Sequence, residues 1–158
     1  MAIVKKSLIM FSICILLFSI AGCKSNSTLE QQTQLESPPE LLILCENASI
    51  VAKTGTYSWT IDHGDGTGTG IEADSSAAPE LVKDSIPLTV SPKSSLTLRF
   101  KNEPAAFTVN LWQGDQSIKQ PIADNMIVVP ETKGNAVYEV IGNWDQGTVY
   151  YAFLVNVD

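Results

Sequence analysis

The sequence predicts an all-β fold, an antiparallel β-sandwich, and three observations carry that prediction. From Glu40 to the C-terminus, short runs of Val, Ile, Leu, Thr and aromatic residues recur between Gly, Pro, Asn and Asp punctuation. Two of the runs, Leu96-Thr97-Leu98-Arg99-Phe100 and Phe107-Thr108-Val109-Asn110-Leu111, alternate apolar and polar residues strictly, the signature of strands with one buried face. No window of helical length in this region carries an apolar stripe of period 3.6.

In chain order, Leu41 to Cys45 and Ser49 to Ala52 read as strands around a turn at Glu46-Asn47. Thr56 to Ile61 follows, with Tyr57 and Trp59 on one face. Asp62 to Gly70 is DHGDGTGTG, where four glycines in nine residues permit positive φ and a tight loop. Ile71 to Asp74 returns as a strand, and Ala78 to Lys83 makes at most one helical turn. Seven further runs suffice for a sandwich: Pro87–Val90, Leu96–Phe100, Phe107–Trp112, Ser117–Lys119, Met126–Val129, Ala136–Asn143 and Thr148–Val157. The last two are joined by Asp145-Gln146-Gly147, which fits a hairpin with glycine at a left-handed position. Residues 84–158 thus form the sandwich, and residues 40–74 an N-terminal β extension that adds strands or a hairpin cap.

Ahead of this domain, Lys5 and Lys6 precede a 14-residue apolar run, Ser7 to Ile20, that ends in small residues. Charge, length and exit are those of a signal peptide over residues 1–22, and the run is short of the roughly 18 to 20 apolar residues that span hydrocarbon. The run Ile20-Ala21-Gly22-Cys23 resembles the lipobox of bacterial lipoproteins. That resemblance implies diacylation of Cys23 and cleavage before it, leaving the chain on the extracytoplasmic face of the membrane. Two acyl chains anchor stably where one does not. Lys24 to Pro39, KSNSTLEQQTQLESPP, has two large apolar residues and a closing proline pair, and reads as a disordered tether.

Loss of Lys5 and Lys6 with the leader leaves 8 Lys+Arg against 17 Asp+Glu, a formal charge of −9. Nucleic acid and anionic lipid surfaces are poor partners for such a chain, whereas cationic ligands, metal ions and basic protein patches stay open; the expected partner is a protein, peptide or envelope ligand. Of the three cysteines, Cys14 leaves with the leader and Cys23 is the acylation site. Cys45, in LLILC, is expected to be a buried thiol, so no intramolecular disulfide is available and stability rests on the core.

Ala136-Val137-Tyr138-Glu139-Val140 resembles the tyrosine-corner signature of immunoglobulin-like domains, with Val140 where antibody domains carry cysteine. The resemblance implies an immunoglobulin-like sandwich in which the Tyr138 hydroxyl bonds to backbone near Glu131 to Gly134. The segments PPELLIL, GTYSWT, GDGTG, APELVK, PKSSLTL and NWDQGTVYYAFLV together resemble small lipoproteins of Bacillus-type Firmicutes. That likeness spans Pro38 to Asp158 and implies a Gram-positive, membrane-anchored protein. A similar module in extracytoplasmic parts of larger membrane regulators implies binding or sensing. Neither likeness assigns site residues.

Little catalytic chemistry is legible. His63 is the single histidine and stands in a glycine-rich loop without rigid support. No Gly-x-Ser-x-Gly elbow, zinc-binding His pair or phosphate loop appears, so neither a hydrolase nor a cofactor is expected. Asp62, Asp65, Glu72 and Asp74 fall within 13 residues, hard oxygen ligands that in a cluster hold Ca²⁺, although their spacing does not fit an EF-hand. Solvated hairpin carboxylates are the plainer reading. Trp112 is out of phase with Phe107, Val109 and Leu111, and Trp144 flanks a strand, so both are open to exposure. The expected contact surface is therefore the Asp62 to Gly70 loop, with His63 and Asp65, and Trp112 or Trp144 nearby. The expected function is non-catalytic binding, and the alternative is inhibition of an extracellular enzyme by loop insertion.

Overall fold

A computed structural model describes residues 35–158, which form one compact unit. Cys14, Cys23, the leader and most of the tether lie outside the described residues. Eleven strands and one short helix make up the described chain: β1 Leu41–Cys45, β2 Ala48–Val51, β3 Lys53–Asp62, β4 Gly68–Ala73, α1 Ala78–Val82, β5 Leu88–Val90, β6 Ser95–Phe100, β7 Ala106–Gln113, β8 Gln116–Lys119, β9 Met126–Val128, β10 Gly134–Trp144 and β11 Gly147–Val157.

Two sheets face each other. The smaller has the order β2-β1-β6-β9, and the larger β4-β3-β11-β10-β7-β8, with β5 parallel to the end of β11 and every other pair antiparallel. Alternation decides which side chains meet: Leu96, Leu98 and Phe100 on β6 point inward while Thr97 and Arg99 point outward. Leu41, Ile43 and Ile127 join them from the smaller sheet. Trp59, Val109, Tyr138, Val140, Tyr151 and Phe153 oppose them from the larger sheet, in one continuous core. No polar or charged residue is buried among the described residues.

The N-terminal strands are added strands rather than a cap. β1 lies inside the smaller sheet, paired with β2 on one side and β6 on the other, and the β3–β4 hairpin widens the larger sheet through β11. Cys45 is buried. The helical turn forms where Pro79 presets the first turn, and its Ala78 and Val82 cover Ala152 and Leu154 on the outer face of the larger sheet.

Three local expectations are corrected. The tether does not run free to Pro39: Leu35 packs on the core, its carbonyl accepts from Trp59 Nε1 at 2.9 Å, and the Pro39 carbonyl accepts from the Tyr151 hydroxyl at 2.6 Å. A segment ending in two prolines has few N–H groups, yet its carbonyls remain acceptors, and two buried aromatic donors use them. Gly147 does have the expected positive φ, 153, but it stands in β11 rather than in the connection, paired with Trp144 across the two-residue turn Asp145-Gln146.

The third correction concerns Tyr138, whose ring is fully buried and stacked on Phe153 at 5.0 Å. Its hydroxyl finds no hydrogen-bond partner among the described residues, so the expected corner bond is not made. The ring stays in the core, stacked on its cross-strand neighbour Phe153. Burial pushes the phenol up to about 12, from an ordinary value of 10.0. Because the raised value favours the neutral form in the folded state, its contribution is complete below about pH 10 and is lost as pH rises toward about 12. Thermal melts between those limits should show Tm falling, and Tyr138→Phe should flatten part of that fall. At neutral pH the same substitution removes an unsatisfied oxygen and should raise stability by about 1 kcal/mol. A loss of that size instead would mean that the hydroxyl is satisfied.

Candidate binding surface at the loop end

One end of the sandwich gathers three connections. The β3–β4 hairpin runs past the edge of its neighbour: β11 pairs with β3 only as far as Trp59, whereas β4 continues to Asp62. Thr60 to Asp62 and Gly68 to Gly70 therefore project from the sheet. Beside them, the β10–β11 turn is tied in by Thr60 N donating to the Gln146 carbonyl at 2.8 Å. The β6–β7 connection joins through Trp144 Nε1, which donates to the Asn102 carbonyl at 3.1 Å, and through Ala105 N, which donates to the Asn143 carbonyl.

The hairpin tip is glycine-rich and has a definite structure. Asp62 Oδ1 accepts from Gly64 N at 2.8 Å, and Asp65 Oδ1 accepts from both Thr67 N and Thr67 Oγ1, at 2.9 and 2.6 Å. These are Asx turns, in which a short carboxylate replaces a backbone acceptor. Gly64 and Gly66 supply the positive φ values the path needs, 73 and 87. His63 N donates to the Thr67 carbonyl, and the exposed imidazole Nε2 shares a hydrogen bond with Thr69 Oγ1. The Thr67 hydroxyl, then its amide, holds the Asp65 carboxyl below its ordinary range.

Of the expected site residues, Asp62, His63, Asp65 and Trp144 share this end, and Trp112 does not. Trp144 is half-buried against Trp59 and Phe100, in edge-on contacts at 5.7 and 5.6 Å. Trp112 is opposite Val137, seven positions along β10 from Trp144 and thus roughly 23 Å away. It does project outward, as its phase predicts, but α1, Leu154 and Val137 cover it there. Glu72 pairs with Ser58, four pairs from the Asp62–Gly68 pair and roughly 13 Å along the hairpin. Among the described residues, no group of three or more His, Cys, Asp or Glu side chains is placed to hold a metal ion.

Leu35 and Asn102 complete this end and were not foreseeable as contributors, because both act through backbone carbonyls. No helix among the described residues is long and apolar enough to cross a membrane. The chain matches no family model, no curated protein and no solved structure.

Proposed function

We propose that this protein is a lipid-anchored, extracytoplasmic binding module of immunoglobulin-like kind, which captures a protein, peptide or envelope ligand without catalysis. The observation that carries this reading is the division of labour between core and loop end. Catalytic groups need burial or charge partners to tune them, and such groups cluster in clefts. Here the polar groups stand on a pre-shaped hairpin tip beside a half-buried tryptophan, over an apolar interior. Rigid sandwiches with projecting loops commonly use those loops for recognition.

The leader and the Cys23 motif support the anchored location. Cys23→Ala is expected to move the protein from the membrane fraction to the medium, still folded by circular dichroism. Retention on the membrane would end the anchored reading. Alanine at His63, Asp65 and Thr67 should leave the melting transition within a few degrees while abolishing partner capture in crosslinking from intact cells. Unchanged capture would move the contact surface elsewhere.

A further inference from the structure

The outer face of the larger sheet holds a second feature, separate from the loop end. Where α1 stands over β11, a cavity of about 280 Å³ remains between the helix, β3 and β10. Its lining includes Gly55, Thr56, Ser75, Ser76, Glu139 and Tyr150. Tyr150 alternates outward between buried Val149 and Tyr151, where the register of β11 against β3 shifts, and is 38% exposed at the cavity. Gly55 keeps the β3 wall thin: a Cβ there would press on Leu81 Cδ2 at 3.2 Å and on the Tyr150 carbonyl at 3.3 Å.

Glu139 is the one charged residue of this lining, and Lys53 stands at its edge, donating its Nζ to the carbonyl of the lining residue Leu81 at 3.1 Å. Glu139 is half-buried, and its carboxylate Oε2 accepts from the neutral Asn110 amide Nδ2 at 3.1 Å. It takes part in no salt bridge among the described residues, and no lysine or arginine lines the cavity. Hydroxyl oxygens of Thr56, Ser75 and Ser76 add acceptor capacity, and the tyrosine ring suits a cation. A half-buried carboxylate at the wall of an acceptor-lined cavity gains most from an incoming cation that brings several N–H donors. The volume fits one long side chain.

We propose that this cavity receives the ammonium or guanidinium head of a lysine or arginine side chain presented by another protein. The proposal is independent of the loop-end reading, because it is tested by direct binding to this face. The full-length protein is titrated with the blocked tripeptide Gly-Lys-Gly, its arginine counterpart, the neutral Gly-norleucine-Gly and free ethylamine, following the amide resonances of Gly55, Ser76 and Tyr150 by NMR. The cationic tripeptides should shift these resonances and bind roughly tenfold more tightly than the norleucine peptide. Tighter binding by the tripeptides than by ethylamine supports the protein source, and equal binding by ethylamine overturns that source in favour of free amines.

Glu139→Gln, which keeps shape and removes charge, should weaken the cationic tripeptides roughly tenfold. Glu72→Gln removes the same charge from the same sheet outside the cavity and should change nothing. Equal binding of the norleucine peptide, equal weakening by both substitutions, or no shift at about 50 mM peptide would each overturn the proposal.

Discussion

Gly147→Ala should destabilise the domain by at least about 3 kcal/mol, as measured by chemical denaturation, and should leave little folded protein at 37 °C. Two effects act together. At φ 153 the backbone occupies a region that side chains rarely enter, and a Cβ built there would lie 1.9 Å from the Ser58 carbonyl oxygen and 2.9 Å from its carbon. That oxygen belongs to β3, whose Trp59 pairs directly with Gly147, so relief requires β3 to move away from β11. Such a movement would disturb a fully buried tryptophan. Gly64→Ala and Gly66→Ala provide the comparison, since both sites have positive φ but no atom within 4 Å of the added carbon. They should cost about 1 kcal/mol each. A Gly147→Ala loss no larger than theirs would show that β3 does not approach β11 there.

Trp59→Ala should cost about 3 to 5 kcal/mol, the range for deleting a large buried aromatic side chain. Trp59 is fully buried, meets Trp144 edge-on and donates its indole N–H to the Leu35 carbonyl. Trp59→Phe separates these roles, because it keeps an aromatic ring and removes the donor. It should cost less, about 1 to 2 kcal/mol, and should speed proteolysis at Glu36 and Ser37 more than at any strand. If proteolysis there stays at the wild-type rate, the indole bond does not hold the entry segment.

The strands were legible because side-chain alternation is local. Leu96, Leu98 and Phe100 declare an inward face within six residues, and the long β10–β11 hairpin is marked by its own turn. Pairing was less legible. Nothing in Leu41 to Cys45 says that β1 lies between β2 and β6, since its partner is more than fifty residues away. Trp112 shows the same limit: its phase gave its direction, while its cover comes from Ala78 and Val82, which no local pattern connects to it. Tyr138 sits in a recognisable motif, yet whether its hydroxyl is bonded depends on stacking with Phe153 from the next strand.

The loop end was legible in its residue types and in part of its assembly. Asp62, His63, Asp65 and Trp144 do come together, because the β3–β4 tip and the β10–β11 turn emerge from the same end of one sheet. Contributions made by backbone carbonyls, from Leu35 and Asn102, have no side-chain signature. The Glu139 cavity was hidden for another reason. Glu139 reads as an ordinary outward residue on an alternating strand, and only the placement of α1 over the sheet turns that position into a recess.

The entry segment has a mechanical consequence. Leu35 and Pro39 are held by Trp59 and Tyr151 of the larger sheet, and the chain then crosses at once into β1 of the smaller one. Tension applied from the N-terminal side therefore meets two side-chain hydrogen bonds and one leucine contact before it reaches any strand ladder. Those contacts take the load ahead of the β1 pairing and pass it to Trp59 and Tyr151 in the larger sheet.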